Sequence, residues 1–295
     1  MGENQGNGIE MQIFQHSDKR SFDIDMRKLL ILLCLFTITA HSQMLTSLYR
    51  VRNVDWVWTL SSTGTGAGVS TLQLVTNTTT TMTINGNGTF YDDAGGTTNP
   101  GTTRTITSGA TRTFYLKVTS GTSTLNILQG RSYITKVNAW TSSTNAASVA
   151  FNISTMPPGL TYFYVNGNNI ITGTLWFPTG MTFFYVTGSN TISGTIPSFP
   201  TGFNEFYVVG SNTINAYTNS FSTIILNYVR LVPVSPGGLS ANDCANFIIA
   251  LSTVTWSGSS RTLYLKGTNA TPTPSSALTT ALAALAAQSV TVTTN

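Results

Sequence analysis

Asp92 and Asp93 are the one place in the chain where two carboxylates stand side by side, the raw material of a glycosidase acid/base pair or a calcium site. Adjacent residues on a strand point to opposite faces, however, and Asp-Asp-Ala-Gly-Gly reads as a turn. Other groups able to exchange protons or attack near neutral pH are scarce: two histidines, His16 and His41, and two cysteines, Cys34 and Cys244.

Three of those four lie in or before a targeting segment. Met26-Arg27-Lys28 is a basic start, Leu29 to Ala40 an apolar run of 12, and Ala40-His41-Ser42 a small-x-small cleavage site. Residues 26–42 therefore read as a signal peptide, 1–25 as an upstream extension, and Gln43 as the expected mature start. The run is shorter than the ~20 apolar residues that span a bilayer. No membrane span is expected in the mature form, with a retained signal anchor as the competing reading. Cleavage removes both histidines and Cys34. A Ser-His-Asp or Cys-His arrangement, a His/Cys metal site and an intrachain disulfide then all lack their residues. The expectation is a non-enzyme without cofactor or metal, with Cys244 a small buried residue rather than a reactive thiol.

Composition points the same way. The 295 residues are 8% charged and 41% hydrophobic, rich in Thr, Ser, Gly and Asn, which favours a β-rich chain. After residue 42 there remain five acids (Asp55, Asp92, Asp93, Glu205, Asp243) and ten Lys and Arg, a net charge of about +5 without clustering. Nucleic-acid binding, which needs clustered cations against phosphates, is not expected.

What the chain does have is a repeat. Gly-Leu-Thr-Tyr-Phe-Tyr-Val-Asn-Gly-Asn-Asn at 159–169 recurs at 180–190 and, more loosely, at 202–212, a spacing of 21 then 22 residues. Such a period marks a solenoid whose coils bury their apolar faces on one another. Strand alternation puts Phe163, Phe184 and Phe206 with Val165, Val186 and Val208 on the inner face, and Tyr164, Tyr185 and Tyr207 on the outer. Tyr228, 21 residues after Tyr207, and Tyr264 extend this to five outward tyrosines. Tyr162, Phe183 and Glu205 form a second outward column. Pro158, Pro178 and Pro200 precede the strands. Gly167, Gly188, Gly210 and Gly267 mark a tight turn after them, where positive φ suits glycine. Asn169, Asn190, Asn212 and Asn269 follow, suited to bonding neighbouring turns.

The unit Met181-x-x-Phe184-x-Val186-x-Gly188-x-Asn190-x-Ile192-Ser193-Gly194-x-Ile196-Pro197 resembles a leucine-rich repeat, with aromatics or Val for several leucines and one extra residue before the asparagine. The resemblance implies a parallel-sheet solenoid of the kind found in secreted bacterial surface proteins and phage tail components, whose members are binding or structural scaffolds.

Around the repeats, Val54–Leu60, Ser70–Val75, Thr80–Ile84, Arg112–Val118 and Thr122–Leu128 read as strands, with Asn85-Gly86 and Asn87-Gly88 as turns. The expected organisation is a β-rich N-terminal module at 43–130, either β-sandwich-like or a β cap on the solenoid, then a leucine-rich-repeat-like solenoid at 131–235 and an α/β, helical C-terminal cap at 236–295. In that cap, Ser240 caps one helix and Ser275–Gln288 forms a second before a last strand.

The sharpest functional feature is the outward aromatic set, Tyr162, Tyr164, Phe183, Tyr185, Tyr207, Tyr228 and Tyr264. It serves either as a docking face for a glycan or surface protein, or as a self-stacking rib that stiffens the sheet. Secreted adhesion or recognition is the first expectation. The alternatives are a subunit of a self-assembling extracellular filament and a phage tail or receptor-binding component. Intact-mass measurement of secreted protein is expected to show a chain starting at Gln43; a mass that includes residues 1–42 overturns the leader.

Overall fold

The computed structural model describes residues 56–61, 70–85, 88–118, 122–128, 134–141, 148–167, 169–188, 190–218, 221, 224–234 and 237–295. The leader at 26–42, the extension at 1–25 and the turn residues Gly86 and Asn87 lie outside them. In chain order the strands ahead of the repeats are β1 (Trp56–Ser61), β2 (Ser70–Thr76), β3 (Thr80–Asn85), β4 (Gly88–Tyr91), β5 (Thr103–Ile106), β6 (Thr111–Val118), β7 (Thr122–Leu128), β8 (Ile134–Thr141) and β9 (Ser148–Asn152). The repeats supply β10 (Tyr162–Asn166), β11 (Ile170–Thr174), β12 (Phe183–Val186), β13 (Asn190–Ile196), β14 (Glu205–Gly210) and β15 (Thr213–Tyr217). Then come β16 (Ile225–Leu226), β17 (Tyr228–Pro233), helix α1 (Ala241–Leu251), β18 (Thr255–Trp256), β19 (Thr262–Leu265), helix α2 (Ser276–Ala287) and β20 (Thr291–Thr294).

Each repeat gives one strand to each of two sheets, so the chain winds as a β-solenoid of about four turns. One sheet has ten strands in the order β20-β19-β17-β14-β12-β10-β8-β2-β6-β4, the other eight in the order β15-β13-β11-β9-β1-β7-β3-β5, and β16 pairs with β18 separately. From β8 to β20 the neighbours in the ten-stranded sheet are parallel, as are β9, β11, β13 and β15 in the other. The strands before residue 130 continue both sheets by antiparallel pairing, through β2 on β8 and β1 on β9. β4 and β5 are additions to the strands read from sequence; both are short and close against the 92–102 loop.

The core lies between the sheets. Phe163, Phe184 and Phe206 are fully buried, with Val165, Val186 and Val208 beside them and Phe151, Ile171, Ile192 and Ile214 facing them. Phe163 and Phe184 stack at 5.4 Å, and Phe151 meets Phe163 edge-on at 5.8 Å. Each such ring contributes roughly 2–3 kcal/mol by leaving water. Next in chain order, α1 and α2 stand between β17, β19 and β20. Ser240 and Ser275 cap them, accepting from the N–H of Asp243 (3.1 Å) and Leu278 (3.0 Å). Phe247 of α1 packs on Tyr217 at 5.1 Å beside β15, and α2 packs on α1. Cys244 is buried in α1; burial first, and then Asp243, push its thiol up to about 11, leaving it protonated and inert.

Coil contact dictates the turn glycine. Gly188 has φ +93°, and a Cβ there would sit 1.9 Å from the carbonyl oxygen of Gly167 one coil away. Gly202, in the Pro200–Phe203 turn, has φ +82°, and a methyl added there would meet open space. Gly188→Ala is expected to lower stability by more than ~3 kcal/mol and Gly202→Ala by only about 1 kcal/mol. Urea unfolding of the two variants checks the contrast, and equal losses would overturn it.

Candidate recognition face

The outer surface of the ten-stranded sheet is set by alternation: with Phe and Val inward, the residues between them must project outward. In-register parallel pairing places Tyr164 opposite Tyr185, and Tyr185 opposite Tyr207. Their rings stack with centroids 4.5 Å and 4.0 Å apart and planes within 13° and 19°. Beside them Tyr162 lies on Phe183 at 4.4 Å, nearly parallel. All are half-buried, because each covers the next.

Beyond Tyr207 the register departs from the 21-residue spacing. Tyr207 pairs with Arg230, and Tyr228 pairs instead with Glu205 in the second column. A 21-residue match would put Asn227 into the Phe206 core column, where an amide without partners is costly. The observed register brings Val229 opposite Phe206 and Leu231 opposite Val208, and leaves Asn227 at the corner on the carbonyl of Asn204. Both registers have the same parity, so Tyr228 faces outward in either. It meets Tyr207 diagonally at 5.9 Å.

Arg230 is thus the member of the row that sequence reasoning missed. Its guanidinium lies 5.1 Å from the centre of Tyr207 and 4.5 Å from that of Tyr264, a cation between two ring faces. Lys136 similarly covers Tyr162 at 4.4 Å. Toward the N-terminal strands the row continues through amides: Asn138 donates to Gln73 (3.3 Å), which donates to Thr113 (3.0 Å). The signal for these was local alternation in β2, β6 and β8, which places Gln73, Thr113 and Asn138 on the outward side.

Two phenols of this face are shifted away from the neutral range. Burial first, then a hydrogen bond and repulsion from Tyr207, hold the Tyr185 phenol well above its ordinary value. Burial, then Tyr164 and Glu205, do the same to Tyr162. Tyr162 and Tyr185 therefore stay neutral, and the stacked rings present hydroxyls and ring edges.

The turn columns sit behind this face. Asn169, Asn190, Asn212 and Asn269 are all buried. Asn190 donates to the Val209 carbonyl of the next coil at 2.7 Å, and Asn269 reaches back to that of Leu231 at 2.9 Å while accepting from the Leu239 N–H. Gly167, Gly188, Gly210 and Gly267 all have positive φ. These residues hold coils together and do not reach the outer face.

Asp92 and Asp93 are absorbed by their own loop. Asp93 accepts from the Thr98 N–H, from the Thr97 N–H (2.9 Å) and from the Thr97 hydroxyl (3.0 Å). Asp92 accepts from Asn99 (2.7 Å) and pairs with Arg104 (3.4 Å) and Arg112 (3.6 Å). The Thr98 bond foremost lowers the Asp93 carboxyl to about 2, and the Asn99 bond foremost lowers Asp92. Both are ionised at neutral pH, the wrong state for a general acid. No group of three or more His, Cys, Asp or Glu that could hold a metal occurs among the described residues.

A folded pKa below the unfolded value means that Asp93 favours the folded loop above about pH 4, and that this contribution disappears as pH falls through about 2. Carboxyl NMR titration is expected to give Asp93 a midpoint of about 2. A midpoint near the ordinary ~3.9 would show that the loop bonds do not form.

The chain matches no protein-family profile, no curated protein and no solved structure.

Proposed function

We propose that the chain is a secreted, non-catalytic recognition protein that docks a surface protein along the outer face of its ten-stranded sheet. The observation that carries this reading is the pre-stacked row Tyr164-Tyr185-Tyr207-Arg230-Tyr264. Side chains already held by one another lose little rotamer freedom when a partner arrives. Tyr and Arg are also the residues that dominate protein interfaces. The stacked faces are occupied by neighbouring rings and Arg230, which disfavours sugar rings lying flat on them. What is offered is edges and hydroxyls, with Gln73 and Asn138 continuing the polar row.

The signal-peptide pattern at 26–42 supports secretion and a surface or extracellular location. The likeness of the coil motif to leucine-rich repeats supports a scaffold role. In the same reading β1–β7 form a sandwich-like end module and α1 and α2 a C-terminal cap, each finishing an end of the coil stack that would otherwise expose core. No helix among the described residues is long and apolar enough to cross a membrane.

Replacing Tyr164, Tyr185 and Tyr207 together by Phe keeps the stack and removes the hydroxyls. Binding to a cell-surface protein array is expected to fall about tenfold or more, at ~1 kcal/mol per lost hydrogen bond, with the melting temperature unchanged. Undiminished binding by both this triple variant and the matching Ser variant would sink the reading. Signal confined to a glycan array would replace the protein partner with a glycan.

A further inference from the structure

The two ends of the ten-stranded sheet are finished differently. At the N-terminal end the outward N–H and C=O of Phe90 in edge strand β4 are both bonded to Gly101, at 2.8 Å and 3.1 Å. Asp92, Asp93, Arg104 and Arg112 gather there, the charges that keep an edge from pairing with another chain. At the other end β20 is the last strand of the sheet and pairs only with β19 among the described residues. No charged side chain occurs between Gly267 and Asn295. The edge carries no proline or bulge either, and its residues 292–294 are half-buried.

We propose that β20 is a pairing edge for a second copy of this chain, joined antiparallel about a two-fold axis through Thr293. The sealed β4 edge selects this arrangement. A head-to-tail filament needs both ends open, whereas a two-fold contact uses the same open edge twice. The register follows from hydrogen bonding. Thr291 donates its N–H to the Arg261 carbonyl at the start of β19, so Thr291 and Thr293 face β19 while Val292 and Thr294 face the open edge. Antiparallel pairing then makes Val292 and Thr294 of opposite copies hydrogen-bonded pairs, with Thr293 opposite Thr293 between them. Val292 stays on the inner face, in line with Leu263, and Thr293 on the outer face, in line with Tyr264. The two sheets become one continuous surface with cores on the same side. This contact is independent of the recognition reading.

Light scattering and sedimentation velocity of the secreted protein are expected to show twice the chain mass. Thr293→Lys and Thr293→Glu, each placing like charges directly opposite, are expected to weaken association roughly tenfold or more, and an equimolar mixture of the two to restore the dimer. Thr293→Cys is expected to give a disulfide-linked dimer, since opposed residues of a non-hydrogen-bonded pair lie ~4.5 Å apart, within disulfide reach. Thr291→Cys should not cross-link. Monomer at every concentration, a dimer indifferent to both charge substitutions, or filaments would each overturn the proposal. Unchanged far-UV circular dichroism of the charge variants separates lost association from lost folding.

Discussion

Coils stacked in register, strand on strand at about 4.8 Å, force every side chain to pack against its own equivalent one coil away. A column therefore survives only if its residue tolerates itself. Phe on Phe and Val on Val do so inside, where burial stabilises both. Glycine does so at the turn, because only a residue without Cβ lets the Gly167 and Gly188 backbones approach as closely as they do. Asparagine does so beneath the turn by bonding to carbonyls of neighbouring coils. Tyrosine does so outside by stacking.

The same constraint governs charge. An arginine or glutamate column would repel itself at this spacing, and the outer face avoids one. Glu205 stands between Phe183 and Tyr228, and Arg230 between Tyr207 and Tyr264. Each ion is a single insertion into a neutral or aromatic column. Arg230 profits most, because both ring faces present negative charge density to it. The row that results is largely closed on its faces, which neighbouring rings and Arg230 occupy, and polar along its edge. Burial holds the Tyr162 and Tyr185 phenols above their ordinary range, and the two adjacent carboxylates are engaged by donors of their own loop and by Arg104 and Arg112.

Much of this was legible in the residues. The period of 21 to 22, the Phe and Val columns and the Gly and Asn columns are local patterns of a strand-turn-strand coil, and Ser240 announced the first helix through short-range capping. β4 and β5 were not legible: four residues each, they are strands because longer neighbours and the 92–102 loop pair with them, not because their own pattern demands it. Nor were the partners through which β1–β7 continue both sheets, since antiparallel pairing of β2 on β8 joins residues some sixty positions apart that share no repeat.

The chain by itself determined which side chains turn inward and which outward, because alternation has a period of two and survives any even shift of register. Alternation therefore sets Tyr164, Tyr185, Tyr207, Tyr228 and Tyr264 on one face, and cannot tell a shift of 21 from one of 23. Only the tertiary structure decided between them, by keeping Asn227 out of the core and so seating Arg230, not Tyr228, against Tyr207. It also decided that the tyrosines cover one another, since ring contact depends on coil-to-coil spacing that no single coil contains.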